Sequence, residues 1–182
     1  MALRNTTTEW GTLSKGLHWL IAIGIFALLY LGIEQSGMER GDEKSRIRFI
    51  HASIATVTLA LMTLRIVWRF MNDVPAHPEG MSRLQELVAD LVHWGLYIVV
   101  FAQLIAGAFV TGTGGRGLPV FGLFSIPLPI AESDEGHHFW EEVHEFLWKP
   151  LAALLILHIL GALYNHFVLK NDVLRRMTHG VK

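Results

Sequence analysis

Five histidines lie inside hydrophobic stretches of the chain: His18, His51, His93, His144 and His158. Imidazole is the commonest side-chain metal ligand, and ionisable groups inside lipid are costly, rare and usually functional. His144 and His158 stand 14 residues apart in one apolar stretch. At about 100° per residue that spacing returns to nearly the same helix face, and at about 1.5 Å per residue it separates the two rings by roughly 21 Å along the axis. Two imidazoles on one helix face at two depths, with further histidines on neighbouring helices, form the arrangement that two haem irons at two levels would need.

Elements able to position such rings are visible in the composition. Of 182 residues, 52% are hydrophobic and 17% charged, with a mean hydropathy of +0.39. Soluble domains carry about 25% charged residues, and the apolar residues here come in long blocks rather than amphipathic stripes. A bilayer core needs about 20 mostly apolar residues per helix. Four segments qualify, at about 16–33, 49–68, 87–110 and 146–169. The expected fold is therefore all-α: an integral membrane four-helix bundle, with residues 1–182 forming one transmembrane domain surrounded by lipid. The first apolar run is too long for a signal peptide, lacks a small-residue cleavage site after it, and carries His18, so it reads as retained. There are no cysteines, which removes disulfides, thiolate-held iron–sulfur clusters and covalent haem attachment. The net charge of -1 and the absence of a basic block speak against a nucleic-acid partner.

Lysine and arginine set the expected orientation. With four spans, both termini emerge on one side. That side carries nine basic residues, counting both termini and the connection between the second and third spans; the other carries six, beside many acids. Both termini are expected in the cytoplasm. The connection from Thr111 to about His138 is rich in Gly and Pro, and its apolar middle, 118–130, is too broken by proline to span. It is expected to lie over the bundle at the outer interface and shield what is beneath.

Depth follows from the nearest charged helix end. His51 lies three residues after Arg48, and His144 follows Glu141 and Glu142, so these two form an outer pair. His158 is 14 residues deeper. Its partner is either His18, three residues after Lys15, or His93, ten residues after Arg83; depth alone slightly favours His93 without fixing the choice. Any single buried histidine is explained as well by a hydrogen bond that glues two helices. Four or five at matched depths are not, because each uncompensated polar group costs energy in lipid. His77, His137, His138 and His179 read as ordinary surface residues, and His166 is intermediate.

A closed zinc site needs four ligands converging on one point. Here the rings separate into pairs, with no Cys, Asp or Glu beside the inner one. Paired imidazoles on facing helices suit the two axial positions of a haem iron, and four-helix bundles build such sites in their cores. With both axial positions filled, electron transfer is favoured over oxygen binding. Gly16, Gly95, Ala52, Ala55 and Gly161 either let a porphyrin approach the backbone or simply allow close helix packing.

The motifs GLHWL on the first span, FIHASIA after a charged loop, LVHWGLYI in the third span, H-x13-H on the fourth and the tail KNDVLRRM resemble the bacterial cytochrome b561 family, over about residues 8–178. A similar arrangement occurs in the cytochrome b subunits of nickel–iron hydrogenases and formate dehydrogenases. The resemblance implies two haem b groups with axial ligands at His18, His51, His144 and His158. His18 would pair with His158, leaving His93 as a residue of a quinone pocket or a partner of a ligand or propionate; His166 has the same two candidate roles. Arg48 and Arg46 outside, and Arg65 and Arg69 inside, are candidates for propionate contacts, with headgroup anchoring as the simpler account.

One branch of the family, with members proposed to oxidise superoxide and reduce quinone, carries a double histidine where this chain has Asn165 and His166. The implied function is electron transfer across the bacterial inner membrane between an outer-face donor or acceptor and ubiquinone or another quinone. Superoxide oxidoreductase activity is one version. The membrane-anchor conduit of a periplasmic redox partner is another, and a non-redox metal-ion transporter is the alternative of a different class.

Overall fold

The computed structural model describes residues 2–178; His179 and Lys182, used above as a surface histidine and a cytoplasmic charge, lie outside the described residues. Four long helices make up most of the chain: α1 (Thr12–Ser36), α2 (Asp42–Phe70), α3 (Arg83–Thr113) and α4 (Asp134–Phe167). All four are long and apolar enough to cross a membrane. An antiparallel hairpin of β1 (Leu118–Val120) and β2 (Phe124–Ile126) joins α3 to α4, and a short α5 (Val173–Met177) follows. The protein is an all-α, four-helix membrane protein.

The helices run from 25 to 34 residues. At about 1.5 Å per residue each exceeds the ~30 Å hydrocarbon core, so their ends outrun the apolar segments that announce them. The excess is greatest in α4, which begins at Asp134 rather than near Phe146. Its polar first turns are helical because Ser133 caps them, its Oγ accepting the Gly136 N–H at 3.0 Å, and because Asp134 and Glu135 sit at the positive end of the helix dipole. Pro150 stands inside α4, a position that membrane helices tolerate. α3 opens with a capping box: Ser82 N–H donates to Gln85 Oε1 at 2.8 Å and Gln85 N–H to Ser82 Oγ at 3.4 Å.

The chain packs as two compact units, each containing a piece of every long helix. The first comprises residues 2–19, 63–99 and 150–178. Asn5 organises it: Asn5 Oδ1 accepts from Gly11 N–H (2.9 Å) and Ser14 Oγ (2.7 Å), and Asn5 Nδ2 donates to the Asp73 carbonyl (2.8 Å). Trp19 Nε1 donates to the Met177 carbonyl (2.9 Å) and Arg176 Nη1 to the Ala76 carbonyl (2.8 Å), fastening α5 to the start of α1 and to the connection before α3.

The second unit comprises residues 20–62 and 100–149. The hydroxyls of its α2 segment return to their own helix: Ser53, Thr56 and Thr58 each donate to the carbonyl four residues earlier, at 2.8–2.9 Å. Their polarity is thereby satisfied without water. Gly24 lies against Thr58; a Cβ there would stand 2.6 Å from Oγ1. The Gly- and Pro-rich connection, expected only as a non-spanning cover, contains a built hairpin. Its turn has positive φ at Phe121 (48°) and Gly122 (77°), closed by Leu123 N–H to the Val120 carbonyl at 2.9 Å. Two positive φ values give the turn handedness that matches strand twist, and Phe121 N–H is tied to the fully buried Ser53 hydroxyl at 3.1 Å.

Candidate functional site

In the second unit His51, on α2, faces His144, on α4. Their ring centres are 6.3 Å apart with planes at 74°. His144 lies on α3. Its Nδ1 is 3.1 Å from the Gln103 carbonyl and its Nε2 is 3.1 Å from Gln103 Nε2. A carbonyl only accepts, so Nδ1 carries the hydrogen and the lone pair is on Nε2, the nitrogen a metal would take. Gly107, one turn along α3, leaves the ring room: a Cβ there would stand 3.1 Å from His144 Cε1. Across the pair, His51 Nδ1 is buried without a hydrogen-bond partner.

In the first unit three imidazoles from three helices converge. His158 of α4 meets His18 of α1 at 6.0 Å between ring centres and His93 of α3 at 5.2 Å. Beside them Arg65 Nη1 donates to the Ser14 carbonyl at 2.9 Å and Nε to the Tyr97 hydroxyl at 3.1 Å. Trp68 Nε1 donates to Ser14 Oγ at 3.1 Å. Arg69 lies over the rings of Trp94 (5.1 Å) and Tyr97 (5.3 Å), a cation–π arrangement.

The spacings test the fit to a haem. A metal-bound imidazole nitrogen lies about 2.0–2.1 Å from its ion and the ring centre roughly 1.1 Å further, so two opposed axial imidazoles have centres about 6.3 Å apart. His51–His144 and His18–His158 fit this spacing. His93–His158 is about 1 Å short of it. Gly16 and Gly161 have nothing within 4 Å of a would-be Cβ, whereas Gly95 is filled by Leu154 at 3.3 Å. Gly16 and Gly161 are exposed and the space beside them is open, and Gly95 serves helix packing. Among the described residues no group of three or more His, Cys, Asp or Glu side chains is arranged to hold a metal ion directly.

The remaining candidates separate. Arg48 and Arg46 are exposed. His166 is half-buried at the end of α4 against Phe167. Asn165 lies in the last turn of α4, where its Oδ1 accepts from Asn171 Nδ2 at 2.6 Å and its Nδ2 donates to the Gly161 carbonyl at 2.9 Å. His77 pairs with Asp90 at 3.2 Å. His137, expected at the surface, is half-buried, with Nδ1 on the Val110 carbonyl at 2.9 Å and Nε2 3.4 Å from Glu141; His138 is exposed. Gln103 is a further residue of this site, and its signal in the sequence is a lone amide in the apolar run FAQLIAGAF.

The profile of the prokaryotic cytochrome b561 family matches residues 9–180. The chain belongs to the prokaryotic cytochrome b561 family. It is similar to "Cytochrome b561 homolog 2" of Escherichia coli (strain K12), at 29% identity over 97% of this chain and 95% of the relative. It is also similar to "Probable superoxide oxidase CybB" of Yersinia pestis, at 27% identity over 93% of this chain and 95% of the relative. A third relative, "Cytochrome b561 homolog 1" of Escherichia coli (strain K12), is 24% identical over 88% and 92%. As a prokaryotic cytochrome b561 the protein is a bacterial membrane b-type cytochrome that binds haem b and takes part in electron transfer. The metal-ion transporter alternative gives way to this membership.

Proposed function

We propose that this cytochrome b561 holds two haem b groups and carries electrons across the inner membrane between an outer-face donor or acceptor and the quinone pool, with both termini in the cytoplasm. The observation that supports it best is the pair of imidazole spacings, 6.3 Å for His51–His144 and 6.0 Å for His18–His158. In this reading those four histidines would hold the haems, with α4 contributing one to each centre. Haem b, when bound, would supply reversible one-electron chemistry.

The chain's own residues orient and shield. The Gln103 carbonyl fixes the His144 ring, and the hairpin anchored at Ser53 covers the His51 end of α2 from water. Arg65, already held by Ser14 and Tyr97, presents its charge beside His18 and His158, where a propionate would neutralise it; Arg48 is the corresponding candidate at the outer centre. His93, too close to His158 to sit opposite it across an iron, and His166 at the end of α4 are candidates for the quinone side.

The relative named as a probable superoxide oxidase makes superoxide-to-ubiquinone transfer one version of this function. A second version, a conduit for a periplasmic redox protein, is favoured by charge. The segments read as outer, 34–48 and 114–149, carry ten acids against six bases, a surface that repels a small anion and attracts a basic partner.

The test is a reduced-minus-oxidised absorbance spectrum of the purified protein with a haem assay. Two b-type haems per chain are expected, and one or none overturns the reading. Rapid haem reduction on generating superoxide, abolished by superoxide dismutase, selects the first version; reduction insensitive to the dismutase overturns it.

A further inference from the structure

Gln103 touches His144 twice. Its backbone carbonyl lies 3.1 Å from Nδ1 and its side-chain nitrogen 3.1 Å from Nε2. The first contact requires a hydrogen on Nδ1. The second then requires the amide to donate, because Nε2 of that tautomer only accepts. Donation fixes which way the amide faces, and it leaves Gln103 Oε1 buried without a partner. Turning the amide over would set two acceptors against each other. The side chain therefore holds the ring nitrogen at the expense of its own carbonyl.

A ring held at both nitrogens also needs somewhere to lie. Gly107 provides it: a Cβ at that position would stand 3.1 Å from Cε1 and 3.3 Å from Nδ1 of His144. Gln103 and Gly107 are one helical turn apart, so α3 offers the imidazole a flat backbone seat with a hydrogen-bond acceptor at one end.

We propose that Gln103 is the positioning residue of the His51–His144 centre: its carbonyl fixes the His144 tautomer, and its side-chain amide occupies the ligand nitrogen as a placeholder that an incoming metal must displace. The placeholder half rests on His144 being a haem ligand; the carbonyl half does not. Displacement costs the amide contact with Nε2, about one net hydrogen bond, so binding at this centre is stronger where the amide is absent. The carbonyl contact is untouched by this exchange and continues to orient the ring, as a hydrogen bond to the second nitrogen does for metal-bound histidines generally.

Two variants separate the halves. Gln103→Leu keeps the carbonyl and removes the placeholder. Gly107→Ala keeps the placeholder and pushes the ring off its seat. Full-length protein produced haem-free in detergent, with 15N-labelled histidine, gives the tautomer directly: His144 is expected as the Nδ1–H form in wild type and in Gln103→Leu, and as a mixed form in Gly107→Ala. Haemin titration of the same samples is expected to show affinity at this centre rising roughly three- to tenfold in Gln103→Leu, the size of one net hydrogen bond, and falling in Gly107→Ala. Circular dichroism checks that each variant is folded. A hydrogen on Nε2 in the haem-free wild type overturns the carbonyl half. Unchanged or weaker haemin binding by folded Gln103→Leu overturns the placeholder half. A wild type that takes up no haemin at this centre overturns the haem reading and the placeholder together, while the nitrogen spectrum still decides the carbonyl contact.

Discussion

A haem held by two imidazoles depends on each of them, and in the proposed assignment each histidine stands on a different helix from its partner. Replacing His51 or His144 by Ala should therefore remove one haem and leave the other, and replacing His18 or His158 should do the converse. His93→Ala should keep both, because its ring sits 5.2 Å from His158, about 1 Å less than an opposed pair requires. Haem per protein, assayed on each purified variant, checks this; loss of a haem in His93→Ala with retention in His18→Ala reverses the assignment. The sequence was informative here because position along a helix is one-dimensional: counting from charged helix ends grouped His51 with His144, and His158 with His18 or His93, and those are the rings found side by side. Rotation about the helix axis is not encoded in that count. The contacts it controls, Gln103 on His144 and Arg65 on Tyr97 and Ser14, became visible only with the helices side by side.

At the scale of elements, close contact between α1 and α2 depends on the missing side chain of Gly24. Alanine is the better helix former by about 1 kcal/mol, yet its Cβ would stand 2.6 Å from Thr58 Oγ1, and Thr58 is buried and hydrogen-bonded to Ile54. Overpacking of this kind costs about 1–3 kcal/mol. Gly24→Ala should lower the thermal midpoint followed by haem absorbance, and adding Thr58→Ala should restore most of the loss; a neutral single variant would show that the helices shift apart freely.

The hairpin makes the opposite demand, for a bond rather than a space. Ser53→Ala leaves Phe121 N–H without its acceptor at a residue already in a left-handed conformation, which non-glycine residues adopt at a cost. Faster hydrogen exchange at Phe121 and Leu123, with helix amides unchanged, is the expected result; unchanged exchange would mean the turn holds itself. Apolar length announced the four helices, but their polar ends, the first three turns of α4 above all, are set by caps such as Ser133 that lie outside any hydropathy window. The hairpin was hidden for a related reason: its glycines and prolines read as breakers, and only the partner hydroxyl on α2 turns them into a fixed cover.

For the whole molecule, the orientation in the membrane decides which centre meets the outside. Nine basic residues against six is a modest bias, but the acids that crowd the side with six count little in the positive-inside effect, which is driven by Lys and Arg near the span ends. Clustering adds to it: Arg65 and Arg69 lie in the last turns of α2, and Arg175 and Arg176 in α5, all on the side read as cytoplasmic. The chain has no cysteine, so a single introduced thiol is an unambiguous reporter. Thr7 and Leu123 are both exposed and neither side chain takes part in a contact described above. A membrane-impermeant maleimide applied to intact spheroplasts should label Leu123→Cys and spare Thr7→Cys, and inverted vesicles should give the reverse pattern. Labelling of Thr7→Cys from outside would turn the molecule over: His51 and His144 would then face the cytoplasm, and the outer donor would have to be sought at His18, His93 and His158.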